Sequence, residues 1–119
     1  MKVHHIAIQV SDLARARTFY VEVLGLPEVR RQSHAVWVEA AGTLLMLEHC
    51  PDQTAPPPWQ SERAGLHLLA LAIEVGSREV WRARLLAAGA PLEGETAFTL
   101  YTRDPDGTRI GLSSYPLAT

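Results

Sequence analysis

The chain of 119 residues contains one cysteine, Cys50, and therefore cannot form an internal disulfide. Its longest apolar run, residues 68–73, is far shorter than the roughly 20 residues that cross a bilayer, and the N-terminal MKVHHIAIQV is too short and too polar for a signal peptide. Basic residues form no stripe, and the net charge is −2. These absences predict a cytoplasmic protein without nucleic-acid or membrane partners.

An internal repeat organises what the sequence does contain. The segments IAIQVSDLARARTFYVEVLGLPE (6–28) and LALAIEVGSREVWRARLLAAGAPLE (69–93) each consist of an apolar strand, a helix and Gly-x-Pro. Val10 matches Val75 at an offset of 65, whereas Gly25 matches Gly89 at an offset of 64. The second helical segment is therefore one residue shorter than the first.

Helical periodicity predicts a first helix over about residues 12–24, capped by Asp12 or Ser11 and ended by Gly25. A second helix is predicted over about residues 77–88, ended by Gly89 in the same way. The apolar stripe of the first helix comprises Leu13, Ala16, Phe19, Tyr20, Val23 and Leu24. The residues on or beside the buried face of the second are Val80, Trp81, Ala83, Arg84, Leu85 and Ala88.

Three strand-like segments follow each predicted helix: EVRRQ, AVWVEA and TLLMLEH, then PLEG, AFTLYTR and TRIGLSS. Ala41-Gly42 and Asp106-Gly107 are predicted as tight turns, and Asp104 and Asp106 are expected to hydrogen-bond the backbone of the second turn. Residues 50–65 include three successive prolines and are predicted as a linker or flap.

The predicted fold is α+β, a single domain of two tandem β-α-β-β-β modules at residues 1–49 and 66–119. Its eight strands form a curved mixed sheet with a concave face, the cup, which is a natural small-molecule site. A ferredoxin-like α+β unit is the competing fold, and it requires fewer strands than these eight.

The motifs HHIAIQVSDLARARTFYVEVLGL and YTRDPDGTRIGLS, together with the repeat, resemble the vicinal oxygen chelate superfamily. That group contains glyoxalase I, bleomycin-resistance proteins, fosfomycin-resistance enzymes and extradiol dioxygenases. The resemblance implies a homodimer. It also implies one divalent ion (zinc, nickel, manganese or iron), held by the first and last strand of each module, which serves as a Lewis acid toward the substrate.

Carried over to this chain, the four ligand positions of the family fall on His5, Glu48, Ala70 and Gly111. Alanine and glycine have no ligating side chain, so the ion is expected to bind weakly or to be absent. His67 is a possible substitute ligand. Its odd offset from Ala70 places it on the opposite strand face unless the strand starts after it.

The predicted ligand pocket contains His5, Trp37, Glu48, Tyr101 and Arg109. Glu48 is the candidate catalytic group, as a metal ligand or general base, and it is expected to meet His5 across the cup. Arg109 shares a strand face with Gly111 and is suited to a carboxylate or phosphate if it points into the cup; the alternative is an exposed arginine at the sheet edge. Trp59, after three prolines, is a candidate flap. The alternative for the three aromatic residues is that they fill core or interface, and for Glu48 an ion pair with an arginine.

Three functions are compatible with these residues. The first is a small-molecule-binding protein of the glyoxalase and bleomycin-resistance type, whose metal site is degenerate. The second is a divalent-metal-dependent lyase, transferase or dioxygenase that uses His5, Glu48 and a substitute ligand such as His67. The third is a regulatory or interaction module without ligand turnover. The sequence favours the first, because Ala70 and Gly111 lack metal donors.

Overall fold

A computed structural model describes residues 1–51 and 61–117 of the chain. The chain divides into two compact units, Met1–Pro56 and Pro57–Thr119, and the division falls inside the segment predicted as a linker. Each unit combines helical structure with one small mixed sheet, as the tandem α+β prediction requires. Within the described ranges, no helix is long and apolar enough to span a membrane.

The first unit contains a four-stranded sheet in the order β1-β4-β3-β2. Strand β1 pairs with β4 in parallel, and the other two pairs are antiparallel. A tight turn at Ala41 and Gly42, both with positive φ, joins β3 to β4. In chain order the elements are β1 (His5–Val10), α1 (Leu13–Arg17), a π-helical segment (Thr18–Val23), β2 (Glu28–Arg31), β3 (Ala35–Ala40) and β4 (Thr43–His49).

The first helical segment begins and ends where the sequence predicts. The Asp12 side chain accepts a hydrogen bond from the Arg15 backbone N–H at 3.0 Å, and Gly25 takes a φ of +78° just past the end. The second half is π-helical, and the Leu24 N–H donates to the Phe19 carbonyl five residues back. A π-type turn accommodates one extra residue, which accounts for the one-residue difference between the two repeats.

Alternation along the strands gives this sheet one apolar, helix-covered face. Phe19 and Tyr20 of the π-helical segment are buried, as is Ala16 of α1. The buried strand residues of that face are Ile8, Val10, Val36, Val38, Leu45 and Leu47. The intervening residues form the opposite face, here called the first open face, and it carries His5, Trp37 and Glu48.

The second unit contains a three-stranded sheet in the order β5-β7-β6. Its elements are β5 (Leu69–Ala72), α2 (Arg78–Ala87), β6 (Thr99–Arg103) and β7 (Arg109–Ser113). Strand β5 pairs with β7 in parallel, and β6 pairs with β7 antiparallel. Leu100, Ile110 and Leu112 are buried on the side of this sheet that α2 covers. The other side, here called the second open face, carries Ala70, Tyr101, Arg109 and Gly111.

The predicted strand PLEG does not form, so the described residues contain seven strands rather than eight. Two backbone hydrogen bonds, from Glu93 N–H to the Tyr101 carbonyl and from Tyr101 N–H to the Gly94 carbonyl, still hold this segment beside β6. Pro91 has no N–H to donate, and Gly94 has a φ of +112°, outside the strand region. The pairing is therefore too short and too irregular for a strand.

Helix α2 buries less of its surface than the helical periodicity predicts. Leu85 is fully buried, but Val80, which was predicted to lie on or beside the buried face, is 63% exposed. Polar contacts supplement the packing: the guanidinium groups of Arg78 and Arg82 both pair with the Glu95 carboxylate. Arg78 also donates to the carbonyls of Thr96 and Ala97. The helix is thus attached to the segment that precedes β6.

Candidate functional site

On the first open face, His5 contacts two other rings at the start of β1. The Nδ1 atoms of His4 and His5 lie 2.9 Å apart, and the His5 ring lies 5.1 Å from the Trp37 ring between centroids. The Trp37 indole N–H donates to the Gln32 side-chain oxygen at 2.9 Å. Trp37 is therefore held against His5 on this face, and the partly exposed indole remains available to a ligand.

Glu48 lies on the same face as His5 but not beside it. The register places Leu44 directly opposite His5 and places Glu48 opposite Gln9. Four residues along a strand correspond to about 13 Å of backbone, so His5 and Glu48 are not cross-strand neighbours, contrary to the expectation that they meet. The prediction had no strand register to use, since it rested on the position of Glu48 at the end of an apolar run.

The second open face has Ala70 and Gly111 side by side at its centre. They are partners in the β5–β7 pair, and Tyr101 faces Gly111 from β6. A Cβ atom at Gly111 would lie 3.3 Å from Thr99 Cγ2 and 3.5 Å from Leu68 Cδ1. Gly111 is therefore buried under its neighbours, and this row of the sheet supplies no metal donor other than the Tyr101 hydroxyl.

The Arg109 guanidinium lies over the Tyr101 ring next to this row. The Arg109 Cζ atom lies 4.1 Å from the centre of the Tyr101 ring, a distance at which the cation and the ring quadrupole attract each other. Arg109 Nη1 lies 3.3 Å from His67 Nε2. The sequence allowed His67 to reach this face only if β5 started after it. Strand β5 begins at Leu69, and His67 contacts Arg109 on this face.

The turn before β7 positions Arg109. The Asp104 side chain, 4% exposed, accepts hydrogen bonds from the backbone N–H groups of Asp106 and Thr108. This confirms the predicted turn-stabilising role of Asp104. Arg103 pairs with the Glu93 carboxylate and donates to the Gly107 carbonyl at 3.0 Å, which anchors the same turn from β6.

The donor set does not fit the metal ion that the family resemblance implies. Among residues 1–51 and 61–117, no group of three or more His, Cys, Asp and Glu side chains could hold an ion. The strand registers of the two sheets explain this. Leu44 is the cross-strand partner of His5 in the first sheet, as Gly111 is the cross-strand partner of Ala70 in the second. The equivalent positions on the two sheets are therefore His5, Leu44, Ala70 and Gly111. Only His5 carries a metal donor, and Glu48 is not one of these four residues.

Sequence reasoning missed several residues that shape these faces, namely Gln32, Leu68, Thr99 and Ser113. The Thr99 and Ser113 hydroxyls lie 2.8 Å apart on the second open face. Strand alternation places both on the Gly111 side of the sheet, a signal that was present in the sequence. Trp59, the predicted flap, lies outside the described residues.

Comparison with known proteins places these features in one family. The model of the glyoxalase/bleomycin resistance protein/dioxygenase superfamily matches residues 2–112. A virulence protein of Salmonella typhimurium is 27% identical over 96% of this chain and 84% of its own length.

Solved structures agree with this fold. The crystal structure of a protein designated SMU.1112c is 28% identical, with a TM-score of 0.74 over 96% of this chain and 98% of that one. The fosfomycin resistance protein FosX of Listeria monocytogenes is 16% identical, with a TM-score of 0.80 over 98% of this chain and 92% of that one, a similarity of fold alone. With nearly its whole length matched, this chain belongs to the glyoxalase/bleomycin resistance protein/dioxygenase superfamily.

Proposed function

We propose that the protein binds a small organic molecule without a complete metal site, in the manner of the non-catalytic members of its superfamily. The observation that carries this proposal is the pairing of Ala70 with Gly111 at the centre of the second open face. Where the resemblance calls for two ligating side chains, this sheet has a methyl group and a hydrogen atom. Each open face nevertheless carries partly exposed aromatic and charged groups suited to a ligand.

The residues assigned to the ligand pocket divide between the two units. His5, Trp37 and Glu48 belong to the first open face, and Tyr101 and Arg109 belong to the second. In this proposal Trp37 supplies apolar surface and Glu48 negative charge on the first open face; on the second open face Tyr101 supplies apolar surface and Arg109 positive charge. His5, which contacts Trp37, supplies a hydrogen-bonding imidazole.

A metal-dependent lyase, transferase or dioxygenase is the second candidate. The observation that favours it is that His5 and Glu48 project from the same face of the first sheet, and His67 extends toward the second open face. The register weighs against it, because His5 and Glu48 start from backbone positions about 13 Å apart along the sheet, which is a long span for two side chains that must reach one ion. Glu48 would be the catalytic carboxylate in this case.

Metal analysis separates the two candidates. Purified, tag-free protein is loaded with zinc, nickel, manganese or iron(II), desalted, and analysed by mass spectrometry before and after a chelator step. We expect far less than one ion per chain, with no change in His5→Ala or Glu48→Ala. A stoichiometric ion that is lost in both variants would overturn the proposal and make the enzyme the better candidate.

Tryptophan fluorescence tests binding directly. The chain has three tryptophans, so Trp59→Phe with Trp81→Phe leaves Trp37 as the only reporter. We expect a ligand from a metabolite panel to change the Trp37 emission in the presence of chelator, and His5→Ala to weaken that response. A panel that binds only after metal is added would contradict metal-free binding.

Assembly and location belong to the same proposal. We expect a cytoplasmic homodimer, as the family resemblance implies. Light scattering after size exclusion at micromolar protein tests the assembly, and a mass near that of one 13.1 kDa chain would refute it. Fractionation of cells that express the protein tests the location.

A further inference from the structure

We infer that His4 and His5 form a site for one soft univalent cation, copper(I), at the start of β1, with the ion held between their Nδ1 atoms. The site goes beyond the proposed binding function. It also differs from the divalent site that the family resemblance implies, because it needs His4 and uses none of the other family positions, Glu48, Ala70 and Gly111.

The two imidazoles meet because the strand begins at the second of them. Adjacent residues within a strand point to opposite faces, but β1 starts at His5, so His4 precedes it and its ring reaches that of His5. The Nδ1 atoms lie 2.9 Å apart, whereas the ring centroids lie 5.1 Å apart. The Nδ1 atoms are therefore on the facing sides of the two rings, and an ion between them has one nitrogen on each side.

A cation at this point takes the place of one shared proton. At 2.9 Å, one Nδ1 carries a hydrogen and donates it to the other, so only one ring has the tautomer with its hydrogen on Nε2. When the cation binds, the donating ring moves its hydrogen from Nδ1 to Nε2 through water. Both Nδ1 atoms then have a lone pair for the ion, and the neutral pair loses no proton.

Two donors are enough for a univalent d10 ion but not for zinc. Copper(I) is stable with two nitrogens in a line, whereas a protein zinc site has four ligands or three and a water. In the described part of the chain, no third His, Cys, Asp or Glu side chain enlarges the pair into a metal-binding group. Two metal–nitrogen bonds of about 2 Å span about 4 Å, so the rings must separate by about 1 Å. Both side chains are exposed, which permits that movement.

The neighbours of the pair on the first open face are soft or apolar. The Trp37 ring lies 5.1 Å from the His5 ring between centroids. Leu44 is the cross-strand partner of His5, and Met46 is that of Trp37. A thioether is a ligand that copper(I) prefers, and the face of an indole attracts cations. These surroundings favour a soft univalent ion over a hard divalent one.

Silver(I) is the probe for this site, because it shares the charge and the linear geometry of copper(I) and is stable in air. All titrations use Cys50→Ser, since a thiolate binds both ions tightly, in a nitrate buffer without chloride. Histidines labelled with nitrogen-15 are followed by NMR. We expect one silver ion per chain to shift the Nδ1 signals of His4 and His5 together, with Nε2 protonated in both, and to leave the other histidines unchanged.

Variants assign the ion to the pair. His4→Ala leaves one imidazole, so we expect it to raise the Kd for silver(I) about 10-fold or more in calorimetry. The matched control is His49→Ala, which removes an equally exposed imidazole from the strand position opposite Val10, about 17 Å of backbone from His5. It should change the Kd by less than about twofold. Thermal melting verifies that each variant is folded.

Two competition experiments test the selectivity. An excess of zinc of about 100-fold should not displace silver(I), since two imidazoles hold zinc poorly. Under anaerobic conditions, the protein should remove copper(I) from its coloured complex with bicinchoninate, and His4→Ala should remove much less.

Four results would overturn this assignment: a Kd for silver(I) that is unchanged in His4→Ala, a shift of His5 Nδ1 without His4 Nδ1, displacement of silver(I) by an equal concentration of zinc, and copper(I) that stays with bicinchoninate. The proposed binding function is tested separately, by the four divalent metals and by the ligand titration of Trp37 in chelator. Those experiments contain neither copper nor silver and leave His4 unchanged.

Discussion

Ala70 and Gly111 face each other across the parallel β5–β7 pair, and Tyr101 flanks Gly111 on the other side. Neighbouring strands lie about 4.8 Å apart, so donors placed at both positions would be close enough to share one ion. The pairing of Ala70 with Gly111 is therefore the position at which metal donors can be introduced and tested.

Restoring both donors should create a metal-binding pair in the second sheet. We expect Ala70→His with Gly111→Glu to bind zinc at least about 10-fold more tightly than the parent chain, in competition with a zinc indicator dye. Each single variant should gain much less, because one protein ligand holds zinc poorly. If the gains in zinc affinity of the two single variants add up to that of the double variant, the two positions do not share an ion.

The new side chain at residue 111 carries a stability cost. Its Cβ would lie 3.3 Å from Thr99 Cγ2, so we expect Gly111→Glu to lower the free energy of unfolding by about 1–3 kcal/mol, as overpacked sites do. Thr99→Ser in the same background removes that methyl group and should recover part of the loss. Urea unfolding of the parent chain, Gly111→Glu and Gly111→Glu with Thr99→Ser measures both effects.

Leu85 should dominate the attachment of α2 to its sheet. Its side chain is fully buried, whereas that of the adjacent Leu86 is 60% exposed. We expect Leu85→Ala to cost about 2–5 kcal/mol of unfolding free energy and Leu86→Ala less than about 1 kcal/mol. Equal losses in urea denaturation would mean that the exposed face of α2 is also covered in solution, for example in a dimer.

Local rules predicted much of this fold. Helix ends follow from side chains that act within a few residues of themselves: Asp12 caps the first helical segment, and Gly25 and Gly89 end the two helices with φ values of +78° and +73°. The pocket prediction grouped Tyr101 with Arg109, and the two side chains are in contact. Such features depend on short-range sterics and hydrogen bonding, which sequence displays directly.

Register was the part that the sequence did not show. Whether His5 lies opposite Leu44 or Glu48 depends on how β1 aligns with β4, and the first helical segment and two other strands separate these strands in the chain. The same limit applies to the missing strand at PLEG, since only pairing with β6 reveals how Gly94 interrupts the ladder. The exposure of Val80 is a further case, because periodicity identifies an apolar helix face but not how much of it the sheet covers.

The Asp104 carboxylate should be essential to the turn that precedes β7. It is 4% exposed and accepts two backbone hydrogen bonds, from Asp106 and Thr108. We expect Asp104→Ala to lower the unfolding free energy by about 2–4 kcal/mol, since two backbone donors lose a charged acceptor. Asp104→Asn keeps one acceptor oxygen and should lose less. The control, Asp106→Ala, should stay within about 1 kcal/mol, and a larger loss there would shift the role to Asp106.

The Glu28 carboxylate should make the first unit sensitive to acid. Hydrogen bonds from the guanidinium groups of Arg31 and Arg17 lower the pKa of Glu28 from 4.5 to about 2. Arg31 donates to both carboxylate oxygens, at 2.9 and 3.0 Å. A pKa that is lower in the folded state adds stability above pH 4.5, and that stability is lost as the pH falls from 4.5 toward 2.

Glu28→Gln should therefore lower stability at pH 7 and flatten its pH dependence. Between pH 4.5 and 2.5 the parent chain takes up more protons on unfolding than the variant does, and the difference approaches one proton. Urea unfolding at half-unit pH steps measures this difference in proton uptake through the slope of the unfolding free energy against pH.

Glu22→Gln is the matched control: Glu22 contacts the same Arg17, at 3.4 Å, but its side chain is 62% exposed. Parallel pH profiles for the parent and Glu28→Gln would show that the pKa of Glu28 is the same folded and unfolded, and the Arg31 contact would then be a surface pair without thermodynamic effect.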